Sequence, residues 1–368
     1  MSKRWTVAVI GCGIGRSHIE EGYARLPGKF EVRALCDLNE ERLTAVADEF
    51  AVRRRTLSFE EILAMDDIDI IDIATPPTLH FPQAMAALAA GKQVVCEKPL
   101  VGSLKETDQL AAAEAKASGR VMPVFQYRFG NGLQKARRIV ELGLAGKPYL
   151  ATVETAWRRG AKYYSVPWRG HIETELGGAL LTHALHAHDI LTYMMGNVAS
   201  VFARTATRVN RIEVEDCAVA SLVLESGALA SLAVTLGSAK EISRLRLCFE
   251  HVTFESSLAP YAPGDDPWQI MATSPEAEAR IAKALDEWSF VASRFEGLMA
   301  SYHHALETAG PLPVTLADAR RSLELITALY HAAETGAAVA LPIGVNHPKY
   351  DSWRPLTAPA PSRASGIG

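Results

Sequence analysis

Apolar positions in the first third of the chain fall into short runs separated by amphipathic stretches. Residues 5–10, 30–36, 68–75, 94–95 and 121–125 are rich in Val, Ile, Ala and Phe and read as buried strands. Between them, residues 39–50, 82–90 and 104–118 keep helical spacing. Ser58-Phe59-Glu60-Glu61 opens a further helix as a capping box would, and Gly91 stops one. Regular alternation of this kind predicts a parallel sheet with helices on both faces. Past Tyr149 the period shifts towards two. Residues 216–225 and 228–236 flank Ser226-Gly227 as a hairpin, and 244–250 and 252–256 continue the strands. Helices over 290–310 and 315–336 close the chain, with Gly310-Pro311 and Gly336 as stops.

The second set of strands is small or apolar on both sides. Cys217, Val219, Ser221 and Val223 share one face, and Ala218, Ala220, Leu222 and Leu224 the other. An antiparallel sheet normally leaves one face wet. A sheet without a polar face needs cover on both sides, which predicts a homodimer or homotetramer.

Composition narrows the class. With 368 residues and 48% hydrophobic content the chain can bury two cores. A net charge of −4 gives no basic surface for nucleic acid or anionic membrane. The start, Met-Ser-Lys-Arg-Trp, has no signal-peptide run, and no apolar stretch reaches membrane-spanning length. Cys12, Cys36, Cys96, Cys217 and Cys248 are scattered and odd in number, as in a reduced, cytoplasmic protein. A tail over 349–368 is rich in Pro, Ala, Ser and Gly.

The candidate chemistry lies at strand ends. The first strand runs into Gly11-Cys12-Gly13-Ile14-Gly15, a turn that suits a dinucleotide pyrophosphate, although the third glycine comes one residue early. Asp37, at the end of the next strand and about 20 residues on, suits the adenosine ribose hydroxyls. It is followed by Leu38 rather than Arg or Lys, which favours NAD over NADP; capping of the helix at 39–50 is the competing role. The strand at 94–95 delivers Glu97-Lys98-Pro99 to the rim where such sheets bind ligands. Partial burial there can lower the Lys98 pKa and make the amine a usable acid or base.

Gly-x-Gly-x-Gly-x-x-His, Asp37, Ala74-Thr75-Pro76 with His80, Ala-Gly-Lys at 90–92 and Cys-Glu-Lys-Pro together resemble the Gfo/Idh/MocA oxidoreductase family. The resemblance runs from about residue 4 to residue 343. It implies an α/β protein: an N-terminal Rossmann domain over 1–124 and a C-terminal α+β domain with a large, mostly antiparallel open sheet over 125–348. It further implies NAD-dependent hydride transfer to or from a hydroxyl of a sugar, polyol or related, possibly anionic, derivative. Gly11, Gly13, Ile14, Gly15, Asp37, Thr75, Pro76, His80, Glu97, Lys98 and Arg128 would hold the cofactor, with a Lys98-Pro99 bond that proline allows to be cis. The family's Asp-x-x-x-His falls on Thr182 and His186, so His186 carries over as the proton-transfer histidine beside Lys98, and Asp189 matches the following aspartate. Thr182 cannot hold the charge of the aspartate it replaces. Spacing of i, i+4 puts it on one helical face with His186.

His183, His186 and His188 also raise a metal reading, but no carboxylate stands at ligand spacing with them, and no metal is expected. Upstream, 157–171 mixes aromatic and cationic residues that suit a sugar with an anionic substituent; Tyr163, Trp168, Arg169 and Lys162 are the preferred contacts, with His183 beside them. A solvated loop or a subunit contact is the competing reading of that span. Two other functions fit the same residues. One is an NAD-dependent glycosidase that oxidises, eliminates, hydrates and reduces, with His183, Tyr163 or Tyr164 as the extra acid or base. The other is an NAD-binding regulatory protein without turnover.

Overall fold

The computed structural model describes residues 3–354. Six strands form one parallel sheet: β1 (Trp5–Ile10), β2 (Phe30–Cys36), β3 (Arg54–Thr56), β4 (Ile70–Ile73), β5 (Gln93–Cys96) and β6 (Val121–Pro123). Their order, β3-β2-β1-β4-β5-β6, reverses direction beside β1 and β4, where such sheets open a crevice for ligands. Helices α1 (Gly15–Glu21), α2 (Glu40–Glu49), α3 (Phe59–Leu63), α4 (His80–Ala89) and α5 (Leu104–Glu114) connect the strands. Their starts follow sequence chemistry: Asn39, Ser58 and Ser103 side chains accept from the backbone N–H three residues on. The central strands β1, β4 and β5 are almost wholly buried because both faces are covered, whereas the edge strand β3 is exposed.

After α6 (Asn131–Glu141) the chain builds an eight-stranded sheet from β7 (Pro148–Arg158), β8 (Val198–Ala206), β9 (Cys217–Leu224), β10 (Leu229–Thr235), β11 (Gly237–Phe249), β12 (Val252–Glu255), β13 (Gln269–Ala272) and β14 (Val339–Ala340). All pairings are antiparallel except β7 with β10. Between β7 and β8 lie α7 (Ile172–Glu175), α8 (Ala179–Thr182) and α9 (Leu185–Met195); α10 (Pro275–Leu285), α11 (Arg294–Thr308) and α12 (Leu316–Thr335) follow β13. Sequence periodicity missed α10, although Ser274 as N-cap and Pro275 in the first turn mark its start.

One face of this sheet is covered by α9 and α12. Its opposite face carries Phe202, Val219, Val223 and Leu229, which are 38–58% exposed. Helix α11 returns to the first sheet, where the Phe295 ring lies 4.7 Å from the ring of His18. The expected loose tail is packed as far as the described residues run. Lys349 and Trp353 are buried, and Trp353 Nε1 donates to Leu176 O at 2.8 Å. Tyr350 OH reaches Asp108 at 2.7 Å, so this strap spans both halves of the molecule. The rest of the expected tail lies outside the described residues.

Beneath the crevice sits a buried ionic bridge. His18, on α1, faces Asp72 of β4 through Nδ1 at 2.9 Å and Glu97, just past β5, through Nε2 at 3.0 Å. Tyr23 OH adds a bond to Asp72 at 2.9 Å. Burial disfavours the imidazolium, but the two carboxylates outweigh it and push the His18 pKa up to about 10. Such a bridge is costly to break, since removing the cation leaves two buried carboxylates facing each other. His18→Leu is therefore expected to lower the unfolding free energy by about 3–5 kcal/mol, read by urea titration. Because the folded pKa is raised, the histidine's contribution is complete below its ordinary 6.5 and is lost as pH rises through about 10. Wild-type stability should fall across that window, with a shallower fall in the variant.

Candidate active site

The crevice extends past the ends of β1, β4 and β5 and under the second sheet, enclosing about 1050 Å³. Gly11, Gly13, Ile14, Asp37, Thr75 and Pro76 line its first end. Gly11 has φ +93°, and a Cβ there would lie 2.5 Å from Ala74 O, so the turn requires glycine. Gly13 has open space where a Cβ would stand, leaving room for a diphosphate to approach the backbone. Gly15 does not line the crevice. A Cβ on it would meet Val9 Cγ1 at 2.7 Å, so this early third glycine lets α1 press onto β1.

Asp37 is held from four directions. Cys12 N donates to Oδ2 at 2.7 Å and Asn39 N to Oδ1 at 2.8 Å, while Arg42 donates through Nε at 2.8 Å and Nη2 at 2.7 Å. Burial works against the charge, but these donors keep the carboxyl below the usual range. Asn39 rather than Asp37 caps α2. Arg42 lines the crevice and was missed in the sequence, because it stands one helical turn beyond the strand end instead of next to it. Open space at Gly13 and a fixed carboxylate at the end of β2 fit a dinucleotide.

Two predicted cofactor residues act from outside the crevice. His80 is buried, with Nδ1 at 2.8 Å from Pro99 O and Nε2 at 2.8 Å from Thr75 O. It ties the Thr75-Pro76 turn to the Lys98-Pro99 turn, whose peptide bond is cis. Arg128 is corrected more fully: its guanidinium grips Asp189 with two bonds of 2.6 Å and lies 3.2 Å from Asp318, and it does not line the crevice. It joins α9 to α12 as a buried ion pair. Asp189, matched on family pattern, is spent in that joint.

Lys98 stands where the two halves meet. Glu97 accepts from Lys98 N at 2.9 Å while holding His18, so the lysine's backbone rests on the buried bridge. Its Nζ crosses the crevice and donates to Thr182 O at 2.7 Å. Burial lowers the pKa of this amine. The expectation of one helix through Thr182 and His186 fails here. The helix breaks at His183 and Ala184, between α8 and α9. The Thr182 carbonyl, which an unbroken helix would give to His186 N, turns instead to Lys98. The Thr182 hydroxyl bonds Gly178 O and contacts His183 Nδ1 at 2.7 Å, not His186.

His186 stacks on Tyr127, ring centroids 4.2 Å apart, and lines the same wall. Burial and the charge of Lys98 drive its pKa well down, so the ring is neutral. His183, with Nε2 buried and unpartnered, is also driven down by burial and by Arg159, Lys98 and Arg169. His188 lies inside the protein, where burial alone takes its pKa to about 3. Among the described residues no group of His, Cys, Asp and Glu is arranged to hold a metal ion.

Of the expected substrate contacts, Tyr163, Trp168 and Arg169 line the far end of the crevice, whereas Lys162 is exposed and off the wall. The cation that replaces it is Arg159, held by Glu241 at 2.8 Å and by Tyr261 OH at 3.1 Å. Glu175 and Trp157 complete this end. Glu175 is buried, which pushes its pKa up, and its Oε1 has no hydrogen-bond partner. None of these three carries a motif; tertiary folding brings them together.

No helix among the described residues is long and apolar enough to cross a membrane. Residues 5–125 match the oxidoreductase family with an NAD-binding Rossmann fold, GFO_IDH_MocA, and residues 133–255 match the GFO/IDH/MocA C-terminal domain. The chain is 31% identical over 236 residues to the uncharacterized oxidoreductase YrbE of Bacillus subtilis, covering 62% of this chain and 67% of that one. It is 27% identical over 346 residues to D-apiose dehydrogenase of Paraburkholderia graminis, covering 92% and 90%. Its fold is similar to that of the WlbA dehydrogenase from Bordetella pertussis, solved in complex with NADH and UDP-GlcNAcA, with a TM-score of 0.81, 29% identity and coverage of 93% and 100%. A glycine turn shaped for a diphosphate, a lysine that links the two halves and these matches lead to one assignment: the chain belongs to the Gfo/Idh/MocA family of NAD-dependent oxidoreductases.

Proposed function

We propose that the protein oxidises a secondary hydroxyl of a sugar, polyol or sugar derivative, with Lys98 and His186 handling the hydroxyl proton. The carrying observation is that Lys98, the one lysine lining the crevice among the described residues, reaches across it to the segment that bears His186. Relatives named for apiose, levoglucosan and myo-inositol support a carbohydrate substrate. Aromatic faces at Tyr163 and Trp168 suit the C–H surface of a sugar. Bound NAD supplies the hydride acceptor. With the cofactor held at the Gly11–Asp37 end, hydride from the substrate carbon would pass to it and the hydroxyl proton to the protein, leaving a carbonyl. Lys98 donates to the reacting oxygen and orients it, and neutral His186 is free to accept a proton. Asp37 selects NAD over NADP, because its carboxylate suits free ribose hydroxyls and opposes a 2′-phosphate.

A second reading, redox-neutral glycoside cleavage, draws on Glu175. A buried carboxyl with its pKa raised is suited to protonate a leaving group. Following NADH and aglycone together on a glycoside panel separates the two: net NADH without aglycone belongs to the dehydrogenase.

Three outcomes are expected. Lys98→Met and His186→Ala should each lower kcat by about 10²–10⁴-fold while NADH affinity, read by fluorescence, stays within a few-fold. Combined, they should be less than additive, because one proton route is cut twice. NAD should bind at least about tenfold more tightly than NADP, and Asp37→Ser should narrow the gap, since Arg42 is then released to meet a 2′-phosphate. Equal binding in the wild type would remove Asp37 from this role. Finally, the exposed apolar face of the second sheet should pair with its own copy as a dimer or tetramer. Light scattering at micromolar protein that gives only the 39.9 kDa monomer would refute that.

A further inference from the structure

The substrate end of the crevice has a charge pattern that a neutral sugar does not require. The chain is net −4, yet Lys98, Arg159, Arg169 and Arg294 all line this end, facing only Glu97 and Glu175. Glu97 is engaged by His18. Arg159 has Glu241 at 2.8 Å and Arg294 has Glu21 at 3.4 Å. Lys98 has a carbonyl. Arg169 has only Glu175, at 3.5 Å, and that carboxyl is the one burial pushes towards its neutral form.

Arg169 is also fixed in place. Its guanidinium carbon lies 4.0 Å from the Tyr163 ring centroid and 4.3 Å from that of Trp168, and it donates to Tyr163 OH. Arg159 lies 5.2 Å from the same Tyr163 ring, so the two guanidinium groups flank one aromatic side chain. Holding cations together on a partly desolvated wall is unfavourable unless an anion compensates them. The planar fork of arginine matches a carboxylate in geometry. Beyond burial, the protonated form of His183 is disfavoured by Arg159, Lys98 and Arg169, and that of His186 by Lys98 and Arg294.

We propose that the sugar substrate carries a carboxylate, seated on Arg169 with Arg159 as the second cation, while its hydroxyl faces Lys98 and His186. This rests on the dehydrogenase reading only in placing the hydroxyl; the anion seat stands on the wall itself. Trp157, Tyr163 and Trp168 then receive the ring.

The test is a fluorescence titration of the wild-type protein loaded with NADH, using matched pairs: glucuronate against glucose, galacturonate against galactose, UDP-glucuronate against UDP-glucose. At least one acid should bind about 10- to 100-fold more tightly than its neutral parent, the range expected of hydrogen bonds to charged groups. Arg169→Met, checked for folding by thermal melting, should bring acid and parent to parity while NADH affinity holds. If no acid outbinds its parent in the wild type, the proposal falls without recourse to any variant. An acid preference that survives Arg169→Met overturns the assignment to Arg169. Selective acid binding without NADH production from NAD leaves the carboxylate seat standing and removes the dehydrogenase reading.

Discussion

The interaction on which the site depends is buried and touches no ligand. His18 holds two carboxylates that would otherwise repel, one from β4 and one from the end of β5. In doing so it pins α1, which follows the glycine turn, to the strand end that carries Lys98. Glu97 then passes the constraint on, since its second oxygen fixes the backbone of Lys98. The glycine turn and the Lys98 amine are thus referenced to one buried imidazolium. The arrangement carries a desolvation cost, and it remains favourable only while both carboxylates hold the ring and the Tyr23 hydroxyl donates to Asp72.

The second half is held to that reference through a broken helix. Had α8 and α9 been continuous, the Thr182 carbonyl would have closed a helical turn and Lys98 would have lost its acceptor. Glu215 helps set the break by accepting from Gly178 N at 3.1 Å and Leu180 N at 2.9 Å at the start of α8. The pair of Arg128 with Asp189 then anchors α9 behind His186. Crevice lining and rigid support are therefore divided along a single segment: His186 faces the crevice and Asp189, one turn on, faces the joint.

Most of the first sheet could be read from the chain because its signals are contiguous. A strand, a glycine turn and a carboxylate at the next strand end need no tertiary information, and Lys98 announces itself by the proline after it. The misreadings have a common cause. The resemblance carried Arg128 over as a cofactor residue, its partner Asp189 being remote in sequence, and Arg159 was passed over for Lys162 because only Glu241 of β11 and Tyr261, both distant in sequence, decide which cation faces inward. Neither glycine nor proline marks the break at His183 and Ala184, so periodicity ran straight through it. The alternation on β9 was read correctly as small on both faces, but only the fold distinguishes the face under α9 and α12 from the open one.

Trp353 adds an order of events. Its indole donates to the carbonyl of Leu176, a non-glycine residue at φ +67° directly after Glu175, and Arg354 pairs with Glu173 at 2.8 Å. The far wall of the crevice is therefore braced by residues that follow it by 177 and 181 positions, whereas the six strands of the first sheet are complete by Pro123. A chain emerging from the ribosome therefore holds every strand of its first sheet well before the brace of this wall exists. Synthesis thus runs along the crevice, from the glycine turn to the far wall.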